Sequence, residues 1–146
     1  MRLISFGIRL YKLFLADKKK YLYIPLGVYW ITLFILTTIP GKALPKIAVS
    51  DKVKHILGYM ILGFLLDFAL YLQNKYPLLS KYTYFFTFLV GIMYGLFDEL
   101  HQILIPGRYF EWWDLFADGI GMFLGIILSQ IIIKGALKNN FFTEKT

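Results

Sequence analysis

A chain of 146 residues that is 58% hydrophobic and 19% aromatic, with a mean hydropathy of +0.61, departs from globular usage and reads as an integral membrane protein. It has no cysteine, which excludes disulfides, thiolate metal ligands and a cysteine nucleophile. The net charge of +7 lies in short loops flanking apolar runs, so membrane topology accounts for it and no nucleic-acid partner is expected.

Residues 1–20 read as a basic amphipathic helix lying in the membrane interface. Arg2, Ser5, Arg9 and Lys12 share one side, and Leu3, Ile4, Phe6, Leu10 and Phe14 lie mostly on the other. Asp17 and Lys18 to Lys20 end it, acting as a topology anchor. Residues 21–39 are uncharged and about 28 Å long as a helix, enough to span a hydrocarbon core of about 30 Å. That length also exceeds the apolar region of a cleaved signal peptide.

A second span is expected over 51–73, started by Ser50 or Asp51 as a cap. Asp51, His55, Gly58 and Leu62 share one of its faces. Asp67 lies nearly opposite, where it is expected to snorkel or to pair with Lys75 or Lys81. A short link containing Pro77 leads to a third span over 82–105. A fourth follows over 112–133, with a cytoplasmic tail from 134 to 146. The fold class is therefore all-α, a four-transmembrane-helix bundle with an N-terminal interfacial amphipathic helix.

Basic residues settle the expected orientation. Arg2, Arg9, Lys12, Lys18 to Lys20, Lys75, Lys81, Lys134, Lys138 and Lys145 give eleven on one side, against five on the other: Lys42, Lys46, Lys52, Lys54 and Arg108. Both termini are expected in the cytoplasm of a multi-pass protein of the inner membrane. Asp51, Asp98, Glu99, Glu111, Asp114 and Asp118, six of nine acids, then meet at the outer surface with both histidines. Ionisable residues in apolar surroundings need a partner or a function.

On a helical wheel Gly91, Gly95, Asp98, Glu99 and Gln102 fall in one arc, and Glu111, Asp114, Asp118, Gly121, Gly125 and Ser129 in another. Each arc contains G-x-x-x-G, so the third and fourth helices are expected to pack through their glycine faces. A homodimer through the same faces is the less favoured reading, and the oligomeric state is left open. Glu99 and Gln102, one turn apart, are placed to orient one another or a ligand. Arg108 is a natural counter-charge for Glu99 or Asp114, its planar fork suiting a carboxylate or a phosphate. His55 is a candidate metal ligand or proton carrier, or simply a histidine held by Asp51. His101 points away from the glycine face. Tyr109, Phe110, Trp112 and Trp113 fit an aromatic belt, with sugar stacking or lipid clamping as the alternative.

One histidine with Glu99, Asp114 and Asp118 would suit Mg, Mn or Zn. No HExxH pattern, second well-placed histidine or activated serine accompanies them. Catalysis, with Glu99, His55 and Asp114 as candidates, is therefore the secondary expectation. No cofactor is expected, a divalent metal being left open.

The runs DKVKHILGYMILGFLL and GIMYGLFDELHQILIPGRYFEWWDLFADGIGMFLG resemble the VanZ-like family over about Ser50 to Leu128. That family's pattern runs D-K, H, Y, then G with E and Q, P-G-R, then D and N ahead of G-x-x-x-G. Asp51, Lys52, His55, Tyr59, Glu99, Gln102, Arg108 and Asp114 stand at matching positions; Asp118 departs, standing where the family usually has Asn. The resemblance implies a small bacterial membrane protein, with 21–133 as its VanZ-like domain, whose founding member is linked to teicoplanin resistance. The expected function is non-catalytic binding of a lipid-linked or cell-wall head group in an outward polar pocket. That pocket would comprise the eight matching residues with Asp118. The competing expectation is acid/base or metal-dependent chemistry on such a head group. Membrane lipids and lipid-linked cell-wall intermediates are the expected partners.

Overall fold

The computed structural model describes residues 2–40 and 50–143, and all regular structure among them is helical. Helix α1 (Arg2–Ala16) is followed by α2, whose opening Lys19–Tyr23 is π-helical and whose body is Ile24–Thr38. Pro25 explains the wide opening turn. Lacking an N–H, it cannot donate to the carbonyl one turn back, and the Ile24 N–H reaches five residues back to Lys19.

Helix α3 (Asp51–Leu72) starts at Ser50, but through the main chain: the Ser50 carbonyl accepts from the amides of Val53 at 3.1 Å and Lys54 at 3.3 Å, while its hydroxyl makes no cap. Asp51 occupies the first turn, where a carboxylate complements the helix dipole. The link to the next long helix holds a short helix, α4 (Pro77–Lys81). Gln73 organises it, with Oε1 accepting from the Tyr76 amide at 2.8 Å and Nε2 donating to the Tyr76 carbonyl and Ser80 Oγ, each at 2.7 Å. Helix α5 (Thr83–Gln102) and helix α6 (Trp112–Thr143) complete the described residues. The tail expected from residue 134 is thus helical as far as Thr143.

Among the described residues, three helices are long and apolar enough to cross a membrane: Lys19–Thr38, Asp51–Leu72 and Trp112–Lys138. Helix α1 packs on the far ends of α3 and α6. Tyr11 and Phe14 are buried with Leu22, Phe68, Leu72, Ile133 and Ala136, while Phe6 stays exposed. Nearer the other end, Tyr59, Leu62, Leu66 and Met122 form a second apolar core.

The two glycine motifs do not meet face to face, contrary to expectation. A Cβ on Gly121 would collide with the Ile56 carbonyl, and one on Gly125 with the Met60 carbonyl, so the α6 glycines bring that backbone against α3. Gly63 of α3 completes the crossing, a Cβ there lying 2.9 Å from the Met122 carbonyl oxygen. The glycines of α5 instead make room for side chains of α6: Gly91 for the Met122 thioether, and Gly95 for Asp118, whose Oδ2 would lie 2.9 Å from an added Cβ. Small residues allow close approach in both cases, of backbone in one and of side chains in the other.

Candidate functional site

The end of α2, the start of α3, the end of α5 and the start of α6 converge, bringing the six expected acids together with His55, Lys52, Lys54 and Arg108. The loop between α5 and α6 makes this convergence possible. Ile105, Pro106, Gly107 and Arg108 form a β-turn in which the Arg108 amide donates to the Ile105 carbonyl at 3.0 Å and Gly107 has φ of 77°. Proline pre-sets the second position, and the third requires the left-handed backbone that glycine tolerates.

Glu99, fully buried, pins the far side of this loop. Its Oε2 accepts the Glu111 amide at 2.8 Å and its Oε1 accepts from Gln102 Nε2 at 3.2 Å. Glu99 and Gln102 therefore orient one another and the start of α6. Lys52 Nζ bridges Glu111 and Asp114, lying 2.6 Å from Asp114 Oδ1. Lys54 Nζ pairs with Asp51 Oδ1 at 3.2 Å.

His55 is bound differently from the pairing with Asp51 expected for it. Its Nδ1 is 2.9 Å from Asp118 Oδ1, and its Nε2 faces Asp114 Oδ2 at 3.8 Å. Asp118 is wholly buried and Asp114 nearly so. One ligand atom from each of Asp51, His55 and Asp114 lies within 4.8 Å of the other two. His101 stands apart, stacked on Phe97 and tilted against Phe34.

Arg108 contacts no carboxylate by hydrogen bond among the described residues, which corrects its expected pairing with Glu99 or Asp114. Its Nε donates to the Ile39 carbonyl and its Nη2 to the Leu36 carbonyl, each at 3.2 Å. It thus closes the C-terminal end of α2, where a cation also complements the helix dipole.

A cavity of about 310 Å³ lies among these elements. Leu33, Leu36, Gly58 and Tyr59 give it an apolar wall, and Thr37, Asp51, Lys54, His55, Asp98 and Arg108 a polar one. Of the nine expected binding residues, Asp51, His55, Tyr59 and Arg108 line this cavity; Lys52, Glu99, Gln102, Asp114 and Asp118 hold its surroundings in place. Lys54, Thr37 and Asp98 were not among the nine. Asp98 and Lys54 were legible as charges at the right level, whereas Thr37 carried no such signal.

Asp67 also departs from expectation. It is fully buried and, among the described residues, pairs with no lysine, Lys75 and Lys81 included. Thr87 Oγ1 donates to its Oδ1 at 3.3 Å, while Ser129 Oγ at 2.6 Å and Gln130 Nε2 at 2.8 Å donate to its Oδ2. Three helices thereby converge on one carboxylate.

Long apolar helices and a carboxylate-lined polar site at one end of them define a multi-pass integral membrane protein. A family model, VanZ/LLP1, matches residues 18–133, and the chain belongs to that VanZ-like family. No curated protein and no solved structure matches the chain.

Proposed function

We propose that this is a four-span protein of the inner membrane with cytoplasmic termini, whose cavity faces outward and binds the phosphate or sugar of a lipid-linked or cell-wall head group. Helix α5 serves as the remaining span. Its 20 residues reach about 30 Å, and Asp98, Glu99 and Gln102 are buried within the bundle, away from lipid. The excess of basic residues around the termini supports the orientation, and α1 lies along the inner surface with Arg9 and Lys12 exposed. Tyr109, Trp112 and Trp113, each at least 70% exposed, form an aromatic belt at the outer surface.

The observation that carries this reading is the two-sided lining of the cavity. An apolar wall adjoins cationic donors, Lys54 and Arg108, suited to phosphate, and carboxylate acceptors, Asp51 and Asp98, suited to sugar hydroxyls. The volume is at the low end for ligand pockets and fits a head group better than a whole glycolipid. Binding is favoured over acid/base chemistry because Glu99, the leading candidate base, has both oxygens occupied.

Lipids extracted from the purified chain and identified by mass spectrometry test the ligand. A phosphorylated or glycosylated lipid enriched over the host membrane, and lost in Lys54→Glu, is expected; host lipids in bulk proportion would remove the reading. Teicoplanin susceptibility is the phenotype in which such binding would register. Sidedness has a separate test, because the chain lacks cysteine. With single cysteines at Lys20, Lys75 and Tyr109, an impermeant reagent applied outside is expected to reach only Tyr109→Cys. Labelling of the other two with Tyr109→Cys protected would invert the topology.

A further inference from the structure

We propose that Asp51, His55 and Asp114 bind one first-row divalent cation, of the Zn²⁺ or Mn²⁺ type, with Asp118 positioning the imidazole. Asp51 and His55 are one turn apart on α3, and Asp114 comes from α6, so the site depends on the glycine crossing of those two helices. Their candidate ligand atoms lie within 4.8 Å of one another. In a tetrahedral site with each ligand about 2.1 Å from the ion, two ligand atoms lie about 3.4 Å apart, so the widest pair closes by up to about 1.4 Å when the ion binds.

The imidazole carries the argument further. With Asp118 Oδ1, 2.9 Å from Nδ1, accepting a hydrogen bond from Nδ1–H, a neutral imidazole turns its Nε2 lone pair toward Asp114 Oδ2. A carboxylate holding the far nitrogen of a ligating histidine is the usual outer shell of a metal site. At 3.8 Å the Nε2 to Asp114 contact is too long for a hydrogen bond. In the neutral tautomer two acceptors face each other across that gap, and either a proton on Nε2 or a metal cation between them removes the repulsion. Asp114 is divided to suit: Oδ1 is taken by Lys52, and Oδ2 faces the gap.

Two further oxygens point to missing positive charge. Asp98 is 1% exposed and lines the cavity with Asp51 and His55, yet its Oδ1 has no hydrogen-bond partner among the described residues; nor has Asp118 Oδ2. Unpaired carboxylate oxygens in a buried setting are costly, and a divalent ion would relieve them. One imidazole among carboxylates suits Zn²⁺ or Mn²⁺ better than Ca²⁺ or Mg²⁺. None of this depends on the head-group reading.

The test is an ion titration of the full-length chain in detergent after chelator stripping, with Zn²⁺, Mn²⁺ and Mg²⁺ followed by equilibrium dialysis and elemental analysis. One ion per chain is expected, with Zn²⁺ tighter than Mn²⁺ and Mn²⁺ tighter than Mg²⁺. His55→Ala and Asp51→Asn should each weaken Zn²⁺ by at least about tenfold, and Asp118→Asn by about 10- to 100-fold. Asp51 is exposed, so its variant keeps the test valid should a buried substitution fail to fold. No stoichiometric Zn²⁺ binding below about 1 mM, binding that His55→Ala and Asp51→Asn leave unchanged, or loss confined to His101→Ala would each overturn the proposal.

Discussion

A lone buried acid, Asp67, and a cluster of acids occupy α3 and its neighbours, about 18 Å apart along the helix from His55 to Asp67, and they are completed in opposite ways. Asp67 is surrounded by neutral donors, Thr87, Ser129 and Gln130, which fill both of its oxygens. The acids at the other end have cations among them and a cavity beside them, yet Asp98 and Asp118 each keep an oxygen with no partner among the described residues. Burial of a carboxylate is common to both and so identifies neither as a site. The distinguishing features are unfilled acceptor capacity and space. By that criterion Asp67 is a fastening for three helices, and the other cluster is where a ligand would be held.

The largest expected effect breaks the closed group. Asp67→Ala removes the acceptor of three hydrogen bonds and leaves Thr87, Ser129 and Gln130 to find others. At about 0.6 kcal/mol for each interhelical bond, unfolding in detergent should show a loss of about 2 kcal/mol. Asp98→Asn sharpens the comparison by an opposite sign. Measured without metal, it replaces an incompletely paired buried carboxylate by a neutral group of the same shape, and stability should rise by up to about 1 kcal/mol. A loss at Asp98 as large as that at Asp67 would mean that both groups are structural.

The same contrast explains how much was legible in the sequence. Charges sharing a helix face and a membrane depth were visible, and the acids converge as that pattern implied. A helical wheel, however, states which residues share a face without saying which neighbour that face meets. Gly121 and Gly125 thus read as facing α5, although they press on the α3 backbone at Ile56 and Met60. Asp67 reads as a partner for lysine because charge is what a sequence displays, while its actual donors are uncharged and 20 to 63 positions away. Ser129, on the same arc as Asp118, Gly121 and Gly125, was the available clue. Arg108 was beyond reach for another reason. Its partners are main-chain carbonyls 69 and 72 positions away, and every residue has a carbonyl.

Arg108 draws the comparison most finely, because it belongs to both kinds of interaction at once. It lines the cavity, but its hydrogen bonds go to the end of α2. Arg108→Ala loses both bonds and the charge opposing the helix dipole, and should cost about 1 to 2 kcal/mol in detergent unfolding. Arg108→Lys keeps the charge but can span only one of the two carbonyls, so it should cost about half as much. Head-group retention separates the two roles. If Arg108 contributes only positive charge to the cavity, the lysine variant should retain the co-purifying lipid that the alanine variant loses. If lysine folds like the parent but loses the lipid as completely as alanine, the planar fork is required by the ligand. The main-chain bonds to Leu36 and Ile39 would then be a resting arrangement that the head group displaces, and the end of α2 would belong to the binding site.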